Sequence, residues 1–165
     1  MFRRDSSRGQ SLVETALVLP ILMLLLIGFF DLGRVVLAHD ALSHAAREAA
    51  RYAIVHGAEA TCPAGPLPAD VVAPTASASC PYPSPSKESI RIEAREQADA
   101  ANSSVTVEVC YGEGCTGDTD APGATNERGT PVTVTVHSTV AMSAAGLIGF
   151  SSFSTTSSST MVVNH

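Results

Sequence analysis

The sequence predicts an α+β protein: a long amino-terminal helix that spans a membrane, followed by a small antiparallel sheet domain with one further helix. Three observations carry that expectation. An apolar run extends from Gly9 to Phe30 and holds no charge between Ala16 and Phe30, and a spanning helix needs roughly 20 such residues. Beyond it, small apolar residues recur at three- and four-residue spacing, which continues the helix. Further on, valines alternate with polar residues in two stretches, the pattern of half-buried strands.

The first helix is expected over residues 10–56. One acidic residue, Glu14, interrupts the start of its apolar run. Leaving a carboxylate in hydrocarbon costs on the order of 2.5 to 3.5 kcal/mol on the mildest scale. Glu14 therefore either reaches back to the headgroups, takes up a proton, or pairs with a cation. Its distance from Gly9 suggests the cation: a cut after Gly9 makes Gln10 a new α-ammonium and Glu14 the fifth residue, available to a neighbouring helix. Arg3, Arg4 and Arg8 in the leader 1–9 place that end in the cytoplasm by the positive-inside rule and the carboxyl-terminal part outside. A cleaved secretory signal is the competing interpretation. Against it, the run is long for such a signal and continues into Asp31-Leu32-Gly33-Arg34 without a small-residue cleavage pattern.

Past Phe30, the residues Leu32, Val35, Val36, Leu42, Ala45, Ala46, Ala49, Ala50 and Ala53 form a narrow helical stripe. Small residues allow close approach, either by a sister helix or by the chain's own outer domain. An unbroken helix from Gln10 to His56 is about 70 Å long at 1.5 Å per residue. Pro20 removes one hydrogen bond inside it, and Gly57 is a plausible terminator. His39, His44 and His56 read as solvent-facing helix residues, since no HExxH-type motif surrounds them.

The outer part, residues 57–165, opens with an irregular loop. Seven prolines between Pro63 and Pro85 deny it a helix or central strand. Ser86 to Ala101 reads as a helix capped near Ser86, with Ile90, Ala94, Ala98 and Ala101 inward and Glu93, Arg95, Glu96 and Asp99 outward. Glu88 and Arg91 are placed for weak surface pairing. Val105, Val107 and Val109 mark a strand ending at Cys110. The polar loop from Gly112 to Gly129 reads as a solvated turn; its Asp118, Asp120 and Glu127 do not meet the EF-hand pattern. Pro131 to Ala141 is a second strand and Thr155 to Val163 a third, with Gly146 to Phe150 as a short apolar turn packing on the sheet or touching lipid.

All four cysteines, Cys62, Cys80, Cys110 and Cys115, lie in this outer part. An even count in an oxidising compartment reads as two disulfides with three possible connectivities. Proximity favours Cys62 with Cys80 and Cys110 with Cys115. Neither pair has zinc-ligand spacing, so no metal is expected.

Residues 1–56 hold six basic and five acidic residues, whereas 57–165 hold four and eleven. An acidic outer domain has no footprint for nucleic acid. No nucleophile elbow and no Gly-rich phosphate loop after a strand is present, so neither an enzyme, a cofactor nor a small-molecule substrate is expected.

Arg8-Gly9 before the run, Val13-Glu14 at its start, and Ala45-Ala46-Arg47-Glu48-Ala49-Ala50-Arg51-Tyr52 after it resemble the amino-terminal segment of TadE-like proteins, the pseudopilins of tight-adherence pilus systems. Gln10 departs from the Phe or Met common after the cleavage site of prepilins. The resemblance implies a pilin-like fold in which the first helix covers the sheet. It also implies leader cleavage between Gly9 and Gln10 by a prepilin peptidase, and helix pairing through Glu14. The implied location is the inner membrane, as a single-pass protein or as part of a pilus. The implied partners are other pilin or pseudopilin subunits, the assembly platform and membrane lipid. A reading from another class keeps the helix only as a tether for an extracytoplasmic binding domain unrelated to filaments.

Overall fold

The computed structural model describes residues 6–71, 80, 84–98, 104–143 and 152–164. Its elements run in the order α1 (Ser6–Val55), α2 (Lys87–Ala98), β1 (Ser104–Tyr111), β2 (Pro131–Ala141) and β3 (Ser152–Val162). The three strands form one antiparallel sheet in the order β1-β2-β3. This is an α+β chain with a pilin-like arrangement: one long helix, a short one and a small sheet.

Helix α1 spans 50 residues, about 75 Å at 1.5 Å per residue. It begins at Ser6, ahead of Gln10, because nothing in Ser-Arg-Gly-Gln stops a helix that continues for so long; Gly9 costs only about 1 kcal/mol. Pro20 lies inside it and has no amide to offer the Ala16 carbonyl, yet the helix passes through. At the far end the His56 amide still bonds the Tyr52 carbonyl at 3.1 Å. The helix ends at Val55, two residues before Gly57.

The outer half of α1 lies across the sheet. Leu42, Ala45, Ala46, Ala49, Ala50 and Ala53 are fully buried against Val107 and Val109 of β1, Val132, Val134 and Val136 of β2, and Val163. Alanines on the helix and valines on the sheet bring the two layers close without large side chains. The register Val109↔Val134 and Val107↔Val136 puts the inward valines side by side, as a period of two requires.

Strand β3 differs. Its inward residues are Thr155, Ser157, Ser159 and Met161, set opposite Ser138, Val136, Val134 and Val132. Thr155 shares a hydrogen bond with His39 Nδ1 at 3.0 Å, and Ser157 donates to Ser43 Oγ at 3.1 Å. The Asn164 amide reaches the Ile54 carbonyl at 3.4 Å. These contacts advance together along both elements, so β3 runs in the same sense as α1.

Helix α2 is capped as its sequence dictates: Ser86 Oγ accepts the Glu88 amide at 3.0 Å. Ile90, Ala94 and Ala98 are buried against the core. The expected inward Ala101 and the apolar turn from Gly146 to Phe150 lie outside the described residues.

Candidate functional site on the first helix

Among the described residues, none of the most apolar window of α1 is buried. Leu12, Val13, Leu17, Leu25, Phe29 and Phe30 are each more than half exposed. This is a helix long and apolar enough to cross a membrane. Gln10 and Glu14, four residues apart, sit one helical turn from each other. Together with Gly9, Val13, Leu17 and Val18 they line one open groove. A carboxylate on an otherwise lipid-compatible helix is satisfied only from outside the chain or at the headgroups.

Further along, α1 has two unlike faces. The sheet takes the alanine face. The opposite face is uncovered and carries Val36, Leu37, Asp40, His44, Arg47 and Arg51, all exposed. Arg51 pairs with Glu48 of its own helix at 3.7 Å.

The structure reassigns several polar residues. His39 is exposed, as expected, and its Nδ1 also lies 3.0 Å from Thr155 Oγ1 of β3. His56, also expected in solvent, is half-buried, with its ring stacked on Tyr52 at 3.9 Å and its Nδ1 2.9 Å from the Tyr52 carbonyl. Burial pushes the Tyr52 hydroxyl above its ordinary pKa, opposed by a hydrogen bond to Ser89 and assisted by the Glu93 charge. His44 is exposed.

The loop after β1 is largely exposed, as expected of a solvated turn, and two of its carboxylates fold back onto the strand. Asp118 Oδ1 accepts the Val109 amide at 3.0 Å, and Asp120 Oδ1 accepts the Tyr111 amide at 2.8 Å. From the other side, Lys87 of α2 reaches Asp120 at 2.7 Å, and Arg91 pairs with both Asp118 and Glu88. Burial tends to raise the Asp118 pKa. The Arg91 hydrogen bond, the Val109 amide and the Arg91 and Lys87 charges outweigh it and hold the carboxyl below its ordinary value. The loop thus covers the Val109–Tyr111 end of the free edge of β1, whose amides there would otherwise be bare. Only the two-residue step from Asp118 to Asp120, matching that from Val109 to Tyr111, hinted at this in the sequence.

Cys62 is bonded to Cys80, and Cys110 to Cys115, with Cα atoms 5.7 and 5.8 Å apart. The first pair closes the proline-rich loop and the second closes the turn that carries Asp118 and Asp120. Asn126, which no sequence signal singled out, is fully buried and donates to the Ala64 carbonyl at 2.8 Å. Its backbone binds Pro66 and Ala58.

On the outer face of the sheet, His137 lies between Thr156 (2.9 Å from Nδ1) and Glu108 (3.3 Å from Nε2). That is one carboxylate, one imidazole and one hydroxyl on three adjacent strands. It is a cross-strand ladder like Thr133–Thr160 and Ser104–Thr139 on the same sheet. Among the described residues no group of three or more His, Cys, Asp or Glu side chains is placed to hold a metal ion.

The family model described as TadE-like protein matches residues 9–51, the stretch that contains Glu14 and both faces of α1. The match covers about a quarter of the chain. No curated protein and no solved structure matches the chain.

Proposed function

We propose, from the TadE-like character of residues 9–51, that this chain is a pseudopilin or minor pilin of a tight-adherence pilus system. Its helix waits in the inner membrane with the arginine-bearing leader in the cytoplasm and the sheet domain outside. A prepilin peptidase removes residues 1–9, and Gln10 becomes the terminal ammonium. Glu14 then pairs with that ammonium in an adjacent pilin or pseudopilin subunit as the assembly platform draws the helix out of the lipid.

The single observation that carries this reading is Glu14 itself: an exposed carboxylate on a helix whose other surroundings are apolar and, among the described residues, unburied. In low dielectric, a lone charge is penalised by several kcal/mol, on the order of 3 to 5 when a buried pair is broken. A neighbour that lacks register with Glu14 is therefore selected against. The pairing fixes which axial position a new subunit can take.

Two measurements test it. Mass spectrometry of the protein from its host is expected to find a chain beginning at Gln10. Replacing Glu14 by Ala is expected to leave membrane insertion intact and to reduce pilus assembly. An intact Met1 in a strain with normal pili, or a start beyond Phe30, would sink the pilin route in favour of a tethered or secreted binding domain.

A further inference from the structure

We infer that the membrane-proximal end of the sheet domain is seated on the outward-facing leaflet of the membrane, with Phe153 of β3 and residues 29–37 of α1 in contact with lipid. The alternative is a domain carried clear of the membrane on a bare stretch of helix. The inference rests on the reading above only in placing α1 across the membrane; neither leader cleavage nor Glu14 pairing enters it. The uncharged run from Ala16 to Phe30 is fifteen residues, about 22 Å at 1.5 Å per residue. The hydrocarbon core of a bilayer is about 30 Å thick, so lipid must extend past one end of that run. On the cytoplasmic side it meets an exposed carboxylate, Glu14, which is costly to immerse.

On the outward side the surface stays apolar. Asp31 is buried, so its carboxylate is not presented to lipid. Phe29, Phe30, Leu32, Val36 and Leu37 are each more than half exposed. Among the described residues, Arg34 is the only exposed charge between Ala16 and Ala38, and so long a side chain reaches the headgroup phosphates. Ala16 to Leu37 is about 33 Å of helix, a full crossing. Strand β3 brings a second element to the same level. It runs in the same sense as α1, so Phe153 lies two residues, about 7 Å, on the membrane side of Thr155, which meets His39. That is the level of residues 34–35. Phe153 is 47% exposed even though its strand neighbour Val140 is buried, and it is flanked by the exposed hydroxyls of Ser152 and Ser154. A ring at that height, continuous with an apolar collar on α1, meets the lipid that the collar meets.

The chain contains no tryptophan, so one introduced Trp is the sole indole signal. The full-length protein, with both disulfides formed, is reconstituted in vesicles of phosphatidylcholine and phosphatidylglycerol, with or without bromine on the acyl chains near the headgroup. Phe153→Trp is compared with Val162→Trp at the other end of the same strand. The native residues are 47% and 49% exposed, so the two sites differ in height above the membrane and not in exposure. Leu37→Trp gives a second reading, on the helix, independent of packing in β3. Phe153→Trp and Leu37→Trp are expected to emit to the blue of Val162→Trp and to lose several-fold more emission to brominated lipid. Aqueous iodide is expected to quench Val162→Trp several-fold more than either.

Phe153→Trp quenched by iodide as strongly as Val162→Trp, and untouched by brominated lipid, overturns the seating: the domain then stands off on its helix. Shielding of Phe153→Trp from both quenchers overturns it as well, because a protein partner then covers the patch. Quenching by lipid at Leu37→Trp alone, or at Phe153→Trp alone, also overturns it, since the two elements are required at one level. Leu25→Trp, within the apolar run, separates this inference from the reading it rests on. If lipid brominated deep in the acyl chain quenches Leu25→Trp while Phe153→Trp is unaffected by either lipid, α1 crosses the membrane and only the seating falls. If Leu25→Trp is not quenched either, the membrane placement of α1 falls with it.

Discussion

Asp118 ties three parts of the outer domain with one carboxylate: the β1 edge through the Val109 amide, helix α2 through Arg91, and its own loop. Replacing it by Ala removes a charge-assisted acceptor from a strand amide, an interaction of about 1 to 2 kcal/mol. A lowered melting temperature of the oxidised protein is the expected result. The carboxyl titrates below its ordinary 3.8 in the fold, as does Glu88 below 4.5 under Arg91 and Arg95, whose hydrogen bonds and charges outweigh the opposing effect of burial. Lowered folded-state values mean that the stability they contribute is present above the unfolded-state pKa and is lost as pH falls through the folded value. Thermal melts from pH 7 down to pH 2 are therefore expected to show a loss that sets in near about pH 4, smaller in the Asp118→Ala protein. Gly65 poses a different local problem. Its φ is +94° and an added Cβ would come within 2.5 Å of the Tyr111 ring. That ring is fully buried with its hydroxyl on the Ala64 carbonyl at 3.1 Å. Gly65→Ala adds a left-handed penalty of about 1 to 2 kcal/mol to an overpacking cost of about 1 to 3. Urea unfolding of the two proteins reads the difference; a midpoint unchanged from wild type would contradict the geometry.

Helix α1 does two jobs because its composition changes part-way along. The first half is largely apolar, and among the described residues its most apolar window is unburied. The second half is apolar on one face only, and that face is almost entirely alanine. The alanines set the distance between helix and sheet, so enlarging one is more costly than shrinking a valine is at many sites. Ala49→Leu, in the middle of the contact, is expected to destabilise the outer domain by about 1 to 3 kcal/mol, read as a shift in its thermal midpoint, with membrane insertion unaffected. The sequence made this stripe visible through its spacing. It also made visible the α2 cap and the alternation of β1 and β2, because period and capping are local properties. Strand β3 was only partly legible. Its inward positions are hydroxyls rather than valines, and hydroxyls become core residues only when another element offers them partners. Here His39 and Ser43 do so.

At the scale of the whole molecule, the outer domain is a thin core held by two covalent closures. The Cys62–Cys80 bond spans 18 residues and the Cys110–Cys115 bond only 5. Chain-entropy arguments give about 3 kcal/mol for the longer closure and about 2 for the shorter. The double substitution Cys62→Ser/Cys80→Ser is expected to lower the melting temperature more than Cys110→Ser/Cys115→Ser. The opposite order would mean that the short bridge's hold on the Asp118–Asp120 loop outweighs loop length. The amino-acid sequence by itself determined the membrane-length helix, the lone carboxylate near its start, the two valine-rich strands and the position of all four cysteines after that helix, because hydropathy, charge and period are properties of neighbouring residues. Only the tertiary structure decided that the Gly112–Gly129 loop folds back to cover one end of the β1 edge, that β3 runs beside α1 on polar contacts, and that one face of α1 stays bare. Those outcomes depend on which distant groups can meet, and a carboxylate shows no sign in the chain of the amide it will reach.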